Sequence, residues 1–132
     1  WALLFASGFA WGLLTGAGQA EAVRLGWSWL IWGGPLRTII VWHITWSVNS
    51  VAHVWGYQSY ATRDNSRNNV LVGLWAAGEG WHNNHHADPA SARHGHRWWE
   101  FDFSYLVIRM FELCGLVWDV KRPRPLAAPV VP

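Results

Sequence analysis

Cysteine occurs once in the 132 residues, as Cys114, which excludes a disulfide framework. Its apolar surroundings predict a buried, inert thiol. Charge is scarce as well. Only 14% of residues are Asp, Glu, Lys or Arg, against roughly 25% in an average soluble domain. That scarcity points toward a bilayer. The formal net charge is +2, too small to argue for nucleic acid. No basic cluster with interleaved aromatics occurs, apart from the short run Lys121-Arg122-Pro123-Arg124. There is no basic stretch ahead of a cleavage site, so the start is not a signal peptide. No internal repeat is visible. The chain opens at Trp1, inside an apolar run and without an initiator methionine. It reads as a fragment cut within a hydrophobic segment.

Tryptophan and histidine are plentiful instead. There are 13 tryptophans, and the 7 histidines nearly match the 8 carboxylates. The length is one domain's worth. Residues 1–20 carry no charge, and a helix of that length spans about 30 Å, one hydrocarbon core. Glu21 and Arg24 end the run. Residues 25–36 form a second uncharged stretch, too short to span and interrupted by Gly33-Gly34-Pro35. Its tryptophans suit the headgroup level, which predicts an interfacial piece or turn. Pro35 fits the first turn of a new helix. Residues 38–62 are again free of lysine, arginine and carboxylate. A spanning helix is expected there; the soluble alternative is a buried core hairpin. The expected organisation is therefore two transmembrane helices, about 1–20 and 36–57, joined by a Trp-rich interfacial connector.

The character changes after Thr62. Asp64 to Asn69, "DNSRNN", predicts a polar helix cap or a headgroup site. Residues 70–78 are apolar. Residues 87–97 read as a loop, and residues 98–118 as an amphipathic segment with too many charges to span. A cap over 58–122 is expected, followed by a proline-rich, disordered tail over 123–132. Eight lysines and arginines lie beyond residue 58, whereas the connector carries only Arg24 and Arg37. The positive-inside rule then places the cap on the cytoplasmic side.

The stretch "GEGWHNNHHADP", residues 79–90, holds three histidines within five positions. On a helix, residues three and four apart share a face, so His82, His85 and His86 form one convergent set. Neutral imidazole is a common metal ligand, and without cysteine the set suits iron, zinc or copper. The bland reading is a polar loop. Asn49 and His53 stand four apart near the end of the second span, where ionisable groups are costly and face cavities. The alternative is a histidine bonded to a neighbouring helix. Glu79 reads as an acceptor for an imidazole N–H or as a helix-start carboxylate. His43 reads as structural. His94 and His96, between Arg93 and Arg97, read as surface residues.

"NSVAHVWG", "DNSRNN" and "GEGWHNNHHADPASARHGHRWWEFD" together resemble the C-terminal half of the membrane fatty-acid Δ9 desaturases, the stearoyl-CoA desaturase-like family, and bacterial members above all. The similarity runs from about Arg37 to Pro123. It implies an all-α membrane protein: the last two transmembrane helices and a cytoplasmic helical cap of a four-span fold, in a bacterial plasma membrane. It further implies a di-iron centre. His53 matches the histidine of the NSxxH box, and His82, His85 and His86 match the HNxHH box. Asn49 matches an asparagine that reaches metal through water. Thr45 and Trp46 match positions near the bend of an acyl tunnel. His43, His94 and His96 match no ligand. The family's HxxxxH and HxxHH boxes are missing from these residues, so five of its histidine ligands are expected upstream of Trp1.

The implied reaction uses O2 and two electrons to place a cis double bond in a saturated acyl chain. The substrate would be a long-chain ester of CoA, a lipid or a carrier protein. Nothing resembles a flavin or haem motif, so electrons would come from an external donor such as ferredoxin, or cytochrome b5 with its reductase. A related di-iron hydroxylase or ketolase is the nearest alternative enzyme. A non-catalytic membrane protein binding haem or another metal is the alternative from a different class.

Overall fold

The computed structural model describes residues 1–125; their regular structure is helical, joined by irregular stretches that carry two isolated bridges. Six α-helices follow in order: α1 (Ala2–Leu14), α2 (Gln19–Ile31), α3 (Arg37–Ser50), α4 (Val70–Trp75), α5 (His82–Ala87) and α6 (Phe103–Leu113). Two compact units are present, Trp1–His43 and a second beginning at Ile44.

In the first unit α1 and α2 run antiparallel and approach closely through small residues. A Cβ placed on Gly12 would stand 2.7 Å from the Cα of Ala22, and one on Gly8 would stand 2.7 Å from the carbonyl oxygen of Leu25. Gly8 and Gly12 lie four apart on one face, as do Ala22 and Gly26 on the facing helix, and all four are buried. Small residues at such spacing let helix backbones touch, which is how helices associate where lipid removes the hydrophobic drive. Gly16 ends α1 with φ +78°, a left-handed conformation natural to glycine. Ala17 N–H then donates to Gly12 O at 3.0 Å, closing the helix end.

This turn corrects the expected first span. The charge-free residues 1–20 form a 13-residue helix, a turn and the start of α2. The expected connector is also different. Residues 25–36 hold no break in the helix: α2 passes through a π turn, Trp32–Leu36, into α3. Proline has no N–H to donate and crowds the preceding turn; the wider π turn accommodates Pro35 without ending the helix. The second expected span, 36–57, is helical as Arg37–Ser50 and tightens to a 3-10 turn at Val51–His53. Among the described residues, no helix is both long and apolar enough to cross a membrane.

The second unit is held by a polar interior. Val48, Ala52, Val72 and Trp81 are buried, but so are Ser59, Ser66, Asn68, Asn83, Asn84, Glu100 and Asp102. Asn68 bridges Tyr57 on one side and Trp81 on the other. Asn69 caps α4 by accepting from Val72 N–H at 3.0 Å, so the capping role expected of "DNSRNN" is present. Asp102 caps α6 through Tyr105 N–H at 2.9 Å. No residue of α6 is buried. Cys114, expected to be buried, is exposed at the C-terminal cap of that uncovered helix. The expected tail falls mostly outside the described residues. Of its described part, Arg124 is anchored: its Nε donates to the buried Asp88 carboxylate at 2.9 Å, and its N–H donates to the same group at 2.9 Å.

Candidate metal centre

The short helix α5 carries "HNNHHA", and its residues divide by side. Asn83 and Asn84 face the interior and are fully buried. Asn83 Oδ1 accepts from the N–H groups of Ser59 and Tyr60 at 2.7 and 2.8 Å. Asn84 Oδ1 accepts from Asn68 at 2.7 Å, while its Nδ2 donates to Glu100 and to His94 O, each at 2.8 Å. Buried amides with every group bonded fix one arrangement, because stranding any of them is costly. The asparagines between the histidines are therefore the staples that set the helix in place.

The histidines occupy the other side. His82 Nε2 lies 3.0 Å from His53 Nε2 and 3.1 Å from His86 Nε2. Ligating atoms of His53, His82 and His86 all fall within 4.8 Å of one another. The reach expected between His53 and the box is thus observed. His85 does not join this trio. Its ring stacks on His82 at 6.0 Å between centroids and packs against His94 at 4.6 Å. Neighbouring helix positions are about 100° apart, so His85 and His86 cannot point to the same spot.

Protonation suits a metal. Burial, with His86 and His53 as neighbours, pushes His82 down to about 4. Burial and the adjacent His94 also lower His85, while Glu79 acts in the opposite direction. Both rings are neutral near pH 7, the form that binds metal. Buried Nδ1 atoms of His82 and His85 have no hydrogen-bond partner. Three imidazole nitrogens converging from two elements, beside two buried ring atoms without a partner, fit a transition-metal site.

Asp64 is the residue that sequence reasoning missed. Its Oδ2 stands 2.5 Å from His86 Nδ1. A ligand histidine commonly gives its second ring N–H to a carboxylate, which fixes tautomer and orientation. One signal was available: Asp64 is the sole carboxylate between Glu21 and Glu79. Glu79, expected beside the box, instead lies 3.8 Å from His94 Nδ1. His94 and His96, read as surface residues, are half-buried. His96 Nδ1 meets Tyr60 Oη at 3.1 Å, and the peptide N–H of His96 donates to Glu100 at 2.7 Å. Buried Glu100 and Asp102 draw this loop inward, overriding the flanking arginines.

The remaining predicted site residues sit on α3. Asn49 is exposed and donates to Thr45 O, one turn back on its own helix, at 3.1 Å. Thr45, Trp46 and His43 are exposed on the same helix. None of them belongs to the convergent trio.

No family model matches the chain. Among curated proteins, it is 50% identical over 98 residues to the palmitoyl-monogalactosyldiacylglycerol delta-7 desaturase of Arabidopsis thaliana, covering 74% of this chain and 26% of that protein. It is 50% identical over 98 residues to the sn-1 stearoyl-lipid 9-desaturase of Synechocystis sp., covering 74% of this chain and 31% of that protein. It is 46% identical over 98 residues to the acyl-CoA C20 Delta5-desaturase of Anemone leveillei, covering 74% of this chain and 31% of that protein. The chain spans about a third or less of the length of these relatives. By sequence, this chain is a relative of the fatty-acid desaturases and corresponds to one part of their length.

Proposed function

We propose that the chain is the C-terminal part of a membrane acyl desaturase of the Δ9 type. In this reading it supplies four histidine ligands, His53, His82, His85 and His86, to a di-iron centre completed by residues upstream of Trp1. The supporting observation is the convergence of three imidazoles within 4.8 Å, in a segment that is half identical to named desaturases.

Bound iron would supply the O2-dependent oxidation that an unactivated methylene requires. The tasks of the chain itself are positional. His53, His82 and His86 present nitrogen atoms from two elements to one point. The Asp64 carboxylate accepts a hydrogen bond from His86 Nδ1–H and so directs Nε2 of that ring inward. Asn83 and Asn84 tie the box helix to the loop before it and to Glu100, keeping the donors from swinging apart. Of the three, His82 is buried and so shielded from water, whereas His53 is half-buried and His86 exposed. Asn49 would act through water, and Thr45 and Trp46 would line the acyl path.

The substrate in this reading is a saturated long-chain acyl ester of CoA, a lipid or a carrier protein. Two electrons come from a separate ferredoxin or cytochrome b5 system, and a cis double bond is the product. The relatives carry numbers 5, 7 and 9 in their names, so likeness to them does not fix the bond position. Placement in a membrane, with the histidines on the cytoplasmic side, is supported by the charge asymmetry and by uncovered apolar residues. Leu3, Leu14, Trp75 and Trp98 are 81%, 83%, 78% and 92% exposed.

The test is expression of the complete polypeptide in a host lacking unsaturated fatty acids, with a competent electron donor. A new acyl double bond is expected. Protein present in the membrane without any new double bond would overturn the proposal, and an alcohol or ketone product would move it to the hydroxylase class.

A further inference from the structure

His85 stands apart from the trio, and its surroundings are built. A histidine that binds metal through one ring nitrogen needs a partner for the other. For His86 that partner is Asp64. His85 Nδ1 is buried and has none. The ring against it is His94, with centroids 4.6 Å apart. Rings within the trio are 4.4 to 5.4 Å apart, so His94 is as close to His85 as the trio members are to one another.

His94 is held there from both sides of its peptide. Its N–H donates to Asp102 Oδ2 at 2.7 Å, and its carbonyl accepts from Asn84 Nδ2 at 2.8 Å. Asn84 is fully buried and directly precedes His85, and Asp102 is 6% exposed. The same side chain that seats the box helix therefore seats His94. A surface histidine needs no such anchorage. Beyond it lies Glu79, whose Oε1 is 3.8 Å from His94 Nδ1.

We propose that His94, backed by Glu79, is a positioning residue for His85. This rests on the reading of His85 as a metal ligand. The carboxylate of Glu79, 3.8 Å from His94 Nδ1, favours the proton on that nitrogen; Nε2 of His94 is then the acceptor that His85 Nδ1, without a partner in this structure, takes when a metal binds. The Nε2 atom of His85 is then free for a metal. The device repeats the Asp64–His86 pair with a second imidazole inserted between carboxylate and ligand.

The experiment uses the complete polypeptide, loaded anaerobically with ferrous iron alone. Iron retention against a chelator is measured together with the Mössbauer spectrum and the number of histidine scatterers by X-ray absorption. Loss of such a partner weakens metal binding about 10- to 100-fold. H94L is expected to show that loss and an altered spectrum. H94Q, whose amide can accept the same hydrogen bond, is expected to recover wild-type retention with the histidine count unchanged. E79Q, an exposed substitution, is expected to shift the spectrum in the direction of H94L, and it carries the test if H94L does not fold. Wild-type retention and spectra in both H94L and E79Q would overturn the proposal. A histidine count reduced in H94Q would also overturn it, by making His94 a ligand. Wild-type protein that binds no iron would overturn the metal reading beneath it.

Discussion

Nδ1 of His86 lies 2.5 Å from Oδ2 of Asp64, 22 residues earlier in the chain. Hydrogen bonding from Ser66 above all, with His86 and Thr62 adding to it, holds the Asp64 carboxyl well below the usual carboxylate range. It is therefore ionised at any pH at which the fold is tested, and it offers His86 a standing acceptor. The D64N substitution keeps the shape and removes the charge. Iron retention by the complete polypeptide is expected to fall about 10- to 100-fold, measured by chelator competition. Unchanged retention would show the pair to be a surface contact.

Acid should loosen the metal-free protein over a defined window. His82 is held down to about 4 in the fold, against about 6.5 in the unfolded chain. Between those values the unfolded state binds more protons, so stability falls as pH drops from about 6.5 toward 4 and levels off below. The loss from His82 is about 3 kcal/mol. His85 and His96 are lowered in the same direction by burial. Denaturant midpoints measured across this range should slope accordingly. H82N should flatten the slope.

The candidate site was only partly legible in the sequence. His82 and His86 share a helix face by spacing alone, and His53 meets them as expected. His85 was grouped with them because i and i+3 positions neighbour i. A point target cannot, however, accept two successive residues of a helix. Glu100 and Asp102 were not legible, since buried carboxylates leave no periodic trace, and exposed Asp64 left only its isolation among carboxylates as a signal. The asparagines of the box looked like spacers, yet their amides are the buried staples. In the first unit the missing charges suggested a long span, but Gly16 and Gly18 break the run before the charge does. Pro35 suggested a helix start, and a π turn absorbed it instead.

Asn84 offers a test of the polar interior. The N84A substitution removes the bond to His94 O and one of the bonds of Asn68 and of Glu100, which keep their others. A buried group left unsatisfied costs about 1–3 kcal/mol. A clear drop in the denaturant midpoint is expected, together with increased hydrogen exchange at residues 94 to 97. A drop comparable to that of an exposed substitution such as N65A would contradict the role given to this side chain.

The close approach of α1 and α2 predicts sensitivity to one methyl group. A Cβ at Gly12 meets the Ala22 backbone at 2.7 Å, whereas nothing lies within 4 Å of one at Gly18. G12A should destabilise the helix pair by about 1–3 kcal/mol, and G18A should not do so through packing. Unfolding of the detergent-solubilised complete polypeptide distinguishes the two. Equal effects would mean that α1 and α2 are not packed as described.

The most direct test of His53, His82 and His86 as a metal site is the iron content of the complete polypeptide with H53A, H82A and H86A, each beside wild type and N65A. Each histidine substitution is predicted to lower bound iron and abolish the new acyl double bond, with N65A matching wild type in both. Wild-type iron and full desaturation in any one of the three would contradict that histidine's place in the site.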